Sequence, residues 1–206
     1  MPTITPPRIR LFMGTTGSGK TYKMHELLQA ESSCFLFNLM DDEKFETWGV
    51  SCDTAEDAFH LAWKCRTEGK PFRIKLQSDD VEMFDYFCKL LIKQPYGHGA
   101  FTDTAIAVDE LALFCSPSWM PDGLRHLVRL GRHTNARLYA TTQRPPDINP
   151  FIRSQAKEIY LFQMHEPADL DVFRKRIESP ERLITLQQGE YILWYPNQMK
   201  KSLPTE

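Results

Sequence analysis

The sequence predicts a three-layer α/β fold with a mainly parallel central sheet. Short apolar segments alternate with segments of helical period along most of the 206 residues, a pattern typical of parallel sheets covered by helices. A glycine-rich loop separates the first apolar segment from the first helical one, and a later apolar segment ends in two adjacent carboxylates. We expect one domain over residues 1–206, with its core at about 8–195 and a flexible tail over 196–206.

The glycine-rich loop follows an apolar run over 8–13, which predicts a buried strand, and precedes a helical segment over 22–31. Strand, loop and helix in this order form a phosphate-binding loop, because backbone amides can converge on phosphate oxygens at a helix N-terminus. Lys20 supplies positive charge for the β- and γ-phosphates, and the Thr21 hydroxyl is placed to hold Mg²⁺. The residues predicted to bind the nucleotide are Gly14, Thr15, Thr16, Gly17, Ser18, Gly19, Lys20 and Thr21.

Four further elements are predicted before the carboxylate pair. In chain order they are strand 34–38, helix 54–68, strand 72–76 and helix 79–93. Thr54 and Asp57 have the spacing of a capping box, which predicts where the first of these helices begins. The loop 96–103 follows, and its glycines, aromatic residues and histidine make it either a plain connector or a DNA contact.

The carboxylate pair comes directly after an apolar run, 104–108, that predicts a buried parallel strand. Ligands of open α/β sheets gather at the carboxyl ends of the strands, which is also the edge where the glycine-rich loop lies. Asp109 is therefore expected to reach the Mg²⁺ shell, and Glu110 to polarise the attacking water.

A basic segment follows. The helix predicted over 124–133 carries Arg125, Arg129 and Arg132 on the face opposite its leucines. Five arginines and no acidic residue occur between 125 and 144. Three interpretations remain open: a solvated face, a patch for nucleic-acid phosphates, or a face presented to the nucleotide of an adjacent subunit. In the last case a guanidinium could accelerate hydrolysis by about 10³- to 10⁵-fold.

The strand predicted over 136–143 ends in Gln143, at the same sheet edge as Asp109. A glutamine at this position can orient the lytic water or sense the γ-phosphate. The elements predicted after it are a turn and short helix 147–155 carrying Arg153, strand 158–163, helix 167–177 and strand 190–194.

Composition restricts the class of protein. A net charge of −2 argues against a generally basic surface, so any nucleic-acid contact must be local. The five cysteines lack CxxC pairs, which disfavours structural zinc and favours reduced thiols. The N-terminus does not have the pattern of a secretory signal, and no apolar run approaches the roughly 20 residues of a membrane helix, so no direct membrane span is expected.

Together these motifs resemble the FtsK/HerA superfamily of DNA-translocating ATPases. The resemblance covers about 8–165 and rests on the glycine-rich loop, the Asp109-Glu110 pair, Gly131-Arg132, and the run Leu-Tyr-Ala-Thr-Thr-Gln-Arg-Pro that ends at Pro145. It implies a RecA/FtsK-like P-loop NTPase fold with ATP and Mg²⁺ as ligands. It also implies that Lys20, Thr21, Asp109, Glu110 and Gln143 act as described above, and that Arg132 is an arginine finger acting in trans, with Arg129 as second choice and Arg153 as third.

The short chain is similar to the genome-packaging ATPases of tailless, membrane-containing double-stranded DNA viruses. This similarity implies a homo-oligomeric ring, expected to be a hexamer, that drives double-stranded DNA into a preformed capsid. It also implies contacts with the capsid vertex and with viral membrane proteins, and a location in the host cytoplasm and the virion. Alternatives are a FtsK/HerA-like translocase in plasmid mobilisation or DNA repair, a small nucleotide kinase, or a filamentous-phage assembly or toxin-like protein docked at a membrane.

Overall fold

The computed structural model describes residues 8–38, 48–93 and 101–196. The strands are β1 (Ile9–Met13), β2 (Cys34–Phe37), β3 (Val50–Cys52), β4 (Arg73–Leu76), β5 (Ala105–Val108), β6 (Arg137–Thr142), β7 (Glu158–Leu161) and β8 (Ile192–Trp194). The α-helices are α1 (Lys20–Leu28), α2 (Ala55–Thr67), α3 (Val81–Lys93), α4 (Asp122–Leu130), α5 (Pro150–Gln155), α6 (Pro167–Asp171) and α7 (Arg182–Thr185). Among the described helices, none has the length and apolar content that crossing a bilayer requires. The predicted tail beyond 196 and the first part of the loop 96–103 lie outside the described residues.

The eight strands form one sheet in the order β3-β4-β2-β5-β6-β1-β7-β8. All neighbouring strands are parallel except β8, which runs antiparallel to β7. The predicted α/β fold with a mainly parallel sheet is therefore confirmed. Strand β6 lies between β1 and β5, so the residue that follows β6 emerges between the glycine-rich loop after β1 and the carboxylates after β5.

Side chains alternate between two cores, one on each face of the sheet. On β1, Leu11 joins the larger core beneath α2, α3 and α4, whereas Phe12 joins a smaller core beneath α1. Leu138 and Tyr139 of β6 divide in the same way. Helices thus cover both faces, and each phenylalanine or leucine buried between the layers stabilises the fold by about 1.5–3 kcal/mol.

The predicted start of α2 is confirmed, whereas the predicted ends of other elements differ from the structure. Thr54 caps α2 as expected, because its hydroxyl accepts a hydrogen bond from the Asp57 amide at 3.1 Å. The helix predicted over 167–177 was too long: α6 ends at Asp171, and turns follow it. Phe173 is buried from one of these turns and packs edge-on against a tryptophan of β8. The three-residue β3 and the four-residue α7 were not predicted, since each is too short to show a period.

Candidate nucleotide-binding site

The glycine-rich loop leaves β1 between the ends of β6 and β7. The Gly14 amide donates to the Thr142 carbonyl at 3.2 Å, and the Thr15 amide donates to the Gln163 carbonyl at 2.9 Å. Gly19 has φ +105°, and a β-carbon there would lie 3.1 Å from Cα of Gly189. Only glycine combines this backbone angle with so close an approach, so the curvature of the loop depends on it.

Lys20 begins α1 and is buried, with an exposed fraction of 7%. Its ammonium donates to the Thr15 carbonyl at 2.7 Å and therefore lies across the inside of the loop. Burial lowers the pKa of Lys20, while the charges of Glu110 and Asp109 oppose that change. A buried ammonium that faces two carboxylates across the loop is well placed to bind a phosphate chain between them.

Asp109 follows β5 and lies within reach of α1. Its Oδ1 accepts a hydrogen bond from the Thr21 hydroxyl at 3.3 Å and another from the Thr141 hydroxyl at 2.8 Å. A hydroxyl and a carboxylate oxygen side by side are the hard ligands that Mg²⁺ prefers, so Thr21 and Asp109 fit the predicted metal site. A bound Mg²⁺ would neutralise phosphate charge at this point.

Glu110 is held in an unusual backbone conformation, with φ +62°. Its amide donates to the Thr141 hydroxyl at 2.8 Å, and its Oε2 accepts from the Gln143 amide at 3.1 Å. Burial raises the pKa of Glu110, and hydrogen bonds from Thr142 and from the Gln143 amide oppose the rise. A partly buried carboxylate with a raised pKa is a better proton acceptor than a solvated one, which suits the activation of water.

Gln143 connects the two halves of the site. Its side-chain Oε1 accepts from the Thr16 hydroxyl of the glycine-rich loop at 3.0 Å, and its amide contacts Glu110. The side chain is exposed, as a group that must meet a ligand needs to be. Lys20, Asp109, Glu110 and Gln143 therefore meet at one edge of the sheet, and their roles in catalysis remain predictions.

Three residues that support the site were not singled out from the sequence. Thr141 bridges Asp109 and Glu110, Gln163 holds the start of the glycine-rich loop, and the Gly189 amide donates to the Ser18 carbonyl at 2.9 Å. Thr141 could have been found, because it belongs to the polar run Thr141-Thr142-Gln143 at the end of β6. Gln163 and Gly189 contact the loop through backbone atoms, so the identity of their side chains does not reveal these contacts.

Arg132 lies at the opposite edge of the sheet, on an exposed 3₁₀ turn between α4 and β6. The Arg8 guanidinium, just before the start of β1, lies close by: a β-carbon at Gly131 would come within 2.8 Å of it. Burial lowers the pKa of Arg8, and the charge of Arg132 lowers it further. Arg129, also exposed, has its guanidinium 5.7 Å from the ring centre of Phe151. The length of β6 separates Arg132 from the glycine-rich loop of the same chain, about 3.3 Å per residue.

The remaining arginines of the basic segment, Arg137 and Arg144, do not lie on the surface that carries Arg129 and Arg132. Arg137 is buried and paired with Glu31 at 2.7 Å. Arg144 contacts the buried Asp169 at 3.3 Å. Arg153, which lies beyond this segment, donates to the carbonyls of Pro145 and Ile148, so its guanidinium holds the turn that follows Gln143. The run of five arginines is thus not one patch, because strand and turn positions direct them to separate places.

Solved structures of the same fold include viral and bacterial proteins. The genome packaging NTPase B204 of Sulfolobus turreted icosahedral virus 2, in complex with ATP-gammaS, is 21% identical with a TM-score of 0.74, and the alignment covers 96% of each chain. The DNA-packaging ATPase B204 of Sulfolobus Turreted Icosahedral Virus is 20% identical with a TM-score of 0.70, covering 97% of this chain and 98% of that one. VirB4 of Thermoanaerobacter pseudethanolicus is 11% identical with a TM-score of 0.62, covering 92% and 87%. No protein-family model matches the chain, and no curated protein matches it in sequence. The predicted P-loop NTPase fold is confirmed by these structures.

Proposed function

We propose that this protein is an ATPase that packages double-stranded DNA into a preformed viral capsid. The observation that carries the proposal is the convergence of Lys20, Asp109, Glu110 and Gln143 on one edge of the sheet. A fold shared over nearly the whole chain with a genome packaging NTPase supports the same assignment.

The chemistry follows from the positions of these groups. The glycine-rich loop binds the phosphate chain through its backbone amides, and Lys20 neutralises the transferring phosphate. Gln143 positions a water molecule, and Glu110 accepts its proton as the water attacks the γ-phosphate. The products are ADP and inorganic phosphate, and the loss of the γ-phosphate frees Gln143 to shift.

The proposal includes a homo-oligomeric ring, a hexamer, in which active sites are shared between subunits. Arg132 is exposed at the edge opposite its own glycine-rich loop, so it can serve a nucleotide only in a neighbouring subunit. Head-to-tail contacts of this kind form a ring when the rotation between neighbouring subunits closes. Double-stranded DNA would pass through the ring, which would act at the capsid vertex with viral membrane proteins, first in the host cytoplasm and then in the virion.

The first test measures ATP turnover with and without duplex DNA, and with added nucleoside monophosphates. A packaging or other translocating ATPase should be stimulated by duplex DNA, whereas a nucleotide kinase should consume ATP only with a monophosphate acceptor. A double jelly-roll capsid gene beside this one would favour packaging over plasmid mobilisation or DNA repair.

The second test concerns Arg132. The Arg132→Ala variant should lose at least about 10³-fold in turnover while still binding ATP, because the guanidinium acts on the transition state. Mixing it with a Glu110→Gln variant should restore part of the activity, since some sites then combine an intact Glu110 with an intact Arg132. Arg125→Ala is the matched control, because Arg125 is also exposed, lies on α4 just before the turn that carries Arg132, and pairs with Asp122 at 3.8 Å. Unchanged turnover in Arg132→Ala would remove this assignment.

A further inference from the structure

The segment 186–190, which joins α7 to β8, forms a turn against the glycine-rich loop. The Gly189 amide donates to the Ser18 carbonyl at 2.9 Å. A β-carbon at Gly19 would lie 3.1 Å from Cα of Gly189 and 3.2 Å from its nitrogen, so the two backbones are in direct contact. The 186–190 turn is therefore a wall of the same site.

The turn is held in one shape by its own hydrogen bonds. The Gln187 amide donates to the Glu190 carboxylate at 2.8 Å, and the Glu190 amide donates back to the Gln187 carbonyl at 3.0 Å. Leu186 on one side and Ile192 on the other are buried and anchor its ends. Gln188 lies between the two braced residues and is exposed. Its side-chain amide can both donate and accept a hydrogen bond.

The strand order fixes which part of a nucleotide faces this turn. Glu110 and Gln143 follow β5 and β6, which lie on one side of β1, so the terminal phosphate must point to that side. The 186–190 turn precedes β8 and lies on the other side of β1, beyond β7. A triphosphate bound along the glycine-rich loop thus extends its nucleoside away from Glu110 and toward the turn.

We propose that the 186–190 turn is the nucleoside wall of the site and that Gln188 hydrogen-bonds the adenine base. This inference rests on the proposed function, because it takes the glycine-rich loop to bind a nucleoside triphosphate. A glutamine amide matches the adjacent donor and acceptor of adenine, N6 and N7, whereas guanine presents two acceptors there. Gln188 therefore selects adenine over guanine.

The experiment compares binding of ATP, GTP and inorganic tripolyphosphate, each with magnesium, to wild type and to Gln188→Ala by calorimetry. Tripolyphosphate carries the phosphate chain without the nucleoside. The variant should bind ATP about five- to tenfold more weakly, the loss of one or two net hydrogen bonds, and bind tripolyphosphate as wild type does. Its preference for ATP over GTP should shrink by a similar factor. Gln155→Ala is the matched control, since Gln155 is exposed at the end of α5, and it should bind all three ligands normally.

Unchanged ATP binding in Gln188→Ala would overturn the inference, and so would an equal loss of ATP and tripolyphosphate, which would mean that the turn only supports the loop. The proposed ATPase activity fails in a different way: wild type would bind ATP without hydrolysing it, while the comparison of Gln188→Ala with wild type would still give its own result.

Discussion

Charged groups are buried both at the amino edge of the sheet, where the parallel strands begin, and at the carboxyl edge, where they end, but the hydrogen bonding of these groups differs. At the amino edge, Glu31 accepts hydrogen bonds from Arg137 and from the Tyr139 hydroxyl, and Arg137 also donates to the Asp103 carbonyl at 2.9 Å. At the carboxyl edge, the Lys20 ammonium donates to a single acceptor among the described residues, the Thr15 carbonyl. The Glu31–Arg137 pair is thus satisfied within the chain, whereas the Lys20 ammonium keeps donors for a ligand.

This difference distinguishes charged groups that stabilise the fold from charged groups that are available to bind a ligand. A buried ion pair with complete hydrogen bonding contributes to a defined packing, and breaking it exposes the cost of the remaining buried charge. A buried charge with incomplete bonding costs the folded chain free energy until a ligand binds. Substitutions of Lys20 and of the carboxylates around it should therefore affect activity, and substitutions of the Glu31–Arg137 pair should affect stability.

The largest effect is expected at Glu110. Replacing it with glutamine keeps its shape but removes the proton acceptor, so steady-state ATP turnover should fall by about 10³-fold, roughly 4 kcal/mol of transition-state free energy. ATP binding should persist, and the melting temperature should not fall. A variant that turns over ATP at a rate close to wild type, or that unfolds much earlier, would contradict the functional interpretation of this edge.

A smaller effect, on stability, is expected at Arg137. Its side chain is 6% exposed and that of Glu31 is 10% exposed, so Arg137→Met leaves a buried carboxylate without its main partner. The free energy of unfolding in urea should fall by about 3–5 kcal/mol. The double variant Arg137→Met with Glu31→Leu should recover much of this loss, because both charges are then gone. Turnover per folded molecule should stay within about threefold of wild type; a much larger loss would couple the two edges.

The smallest effect is the pH dependence of the Glu110→Gln variant. Burial raises the folded pKa of Glu110 above its ordinary value of 4.5. A raised pKa gives stability that is present below the unfolded value and is lost as the pH rises through the folded value. Glutamine does not titrate, so the variant should melt slightly above wild type at neutral pH, and this gain should vanish near pH 4. An increase in melting temperature, relative to wild type, that grows as the pH falls would contradict a raised pKa of Glu110 in the folded protein.

The carboxyl edge was largely predictable because its groups are tied to strand ends. Parallel strands bring their carboxyl ends to one edge, so the sequence alone places Lys20, Asp109, Glu110 and Gln143 together. The position of β6 between β1 and β5 could not be predicted, since strand order depends on packing between distant segments. That order explains why Gln143 touches both the loop and Glu110.

The amino edge was not predictable from the sequence. Arg137 belongs to a run of arginines that suggests a basic surface. It is nevertheless buried and paired with Glu31, which is distant in the sequence. Periodicity identifies apolar faces, but it cannot pair two charges across a sheet. The 186–190 turn was missed for a related reason: Gly189 meets Ser18 through backbone atoms, and its sequence resembles that of an ordinary turn.

The backbone angle of Glu110 carries a consequence for how this sequence can change over time. A side chain at φ +62° is strained by about 1 kcal/mol or more, and glycine would remove that strain. Selection for thermal robustness alone would therefore drive this position toward glycine. Under the proposed function, the need to hydrolyse nucleotide opposes that drift. Descendants that lose hydrolysis should therefore lose the carboxylate early and gain stability as they do.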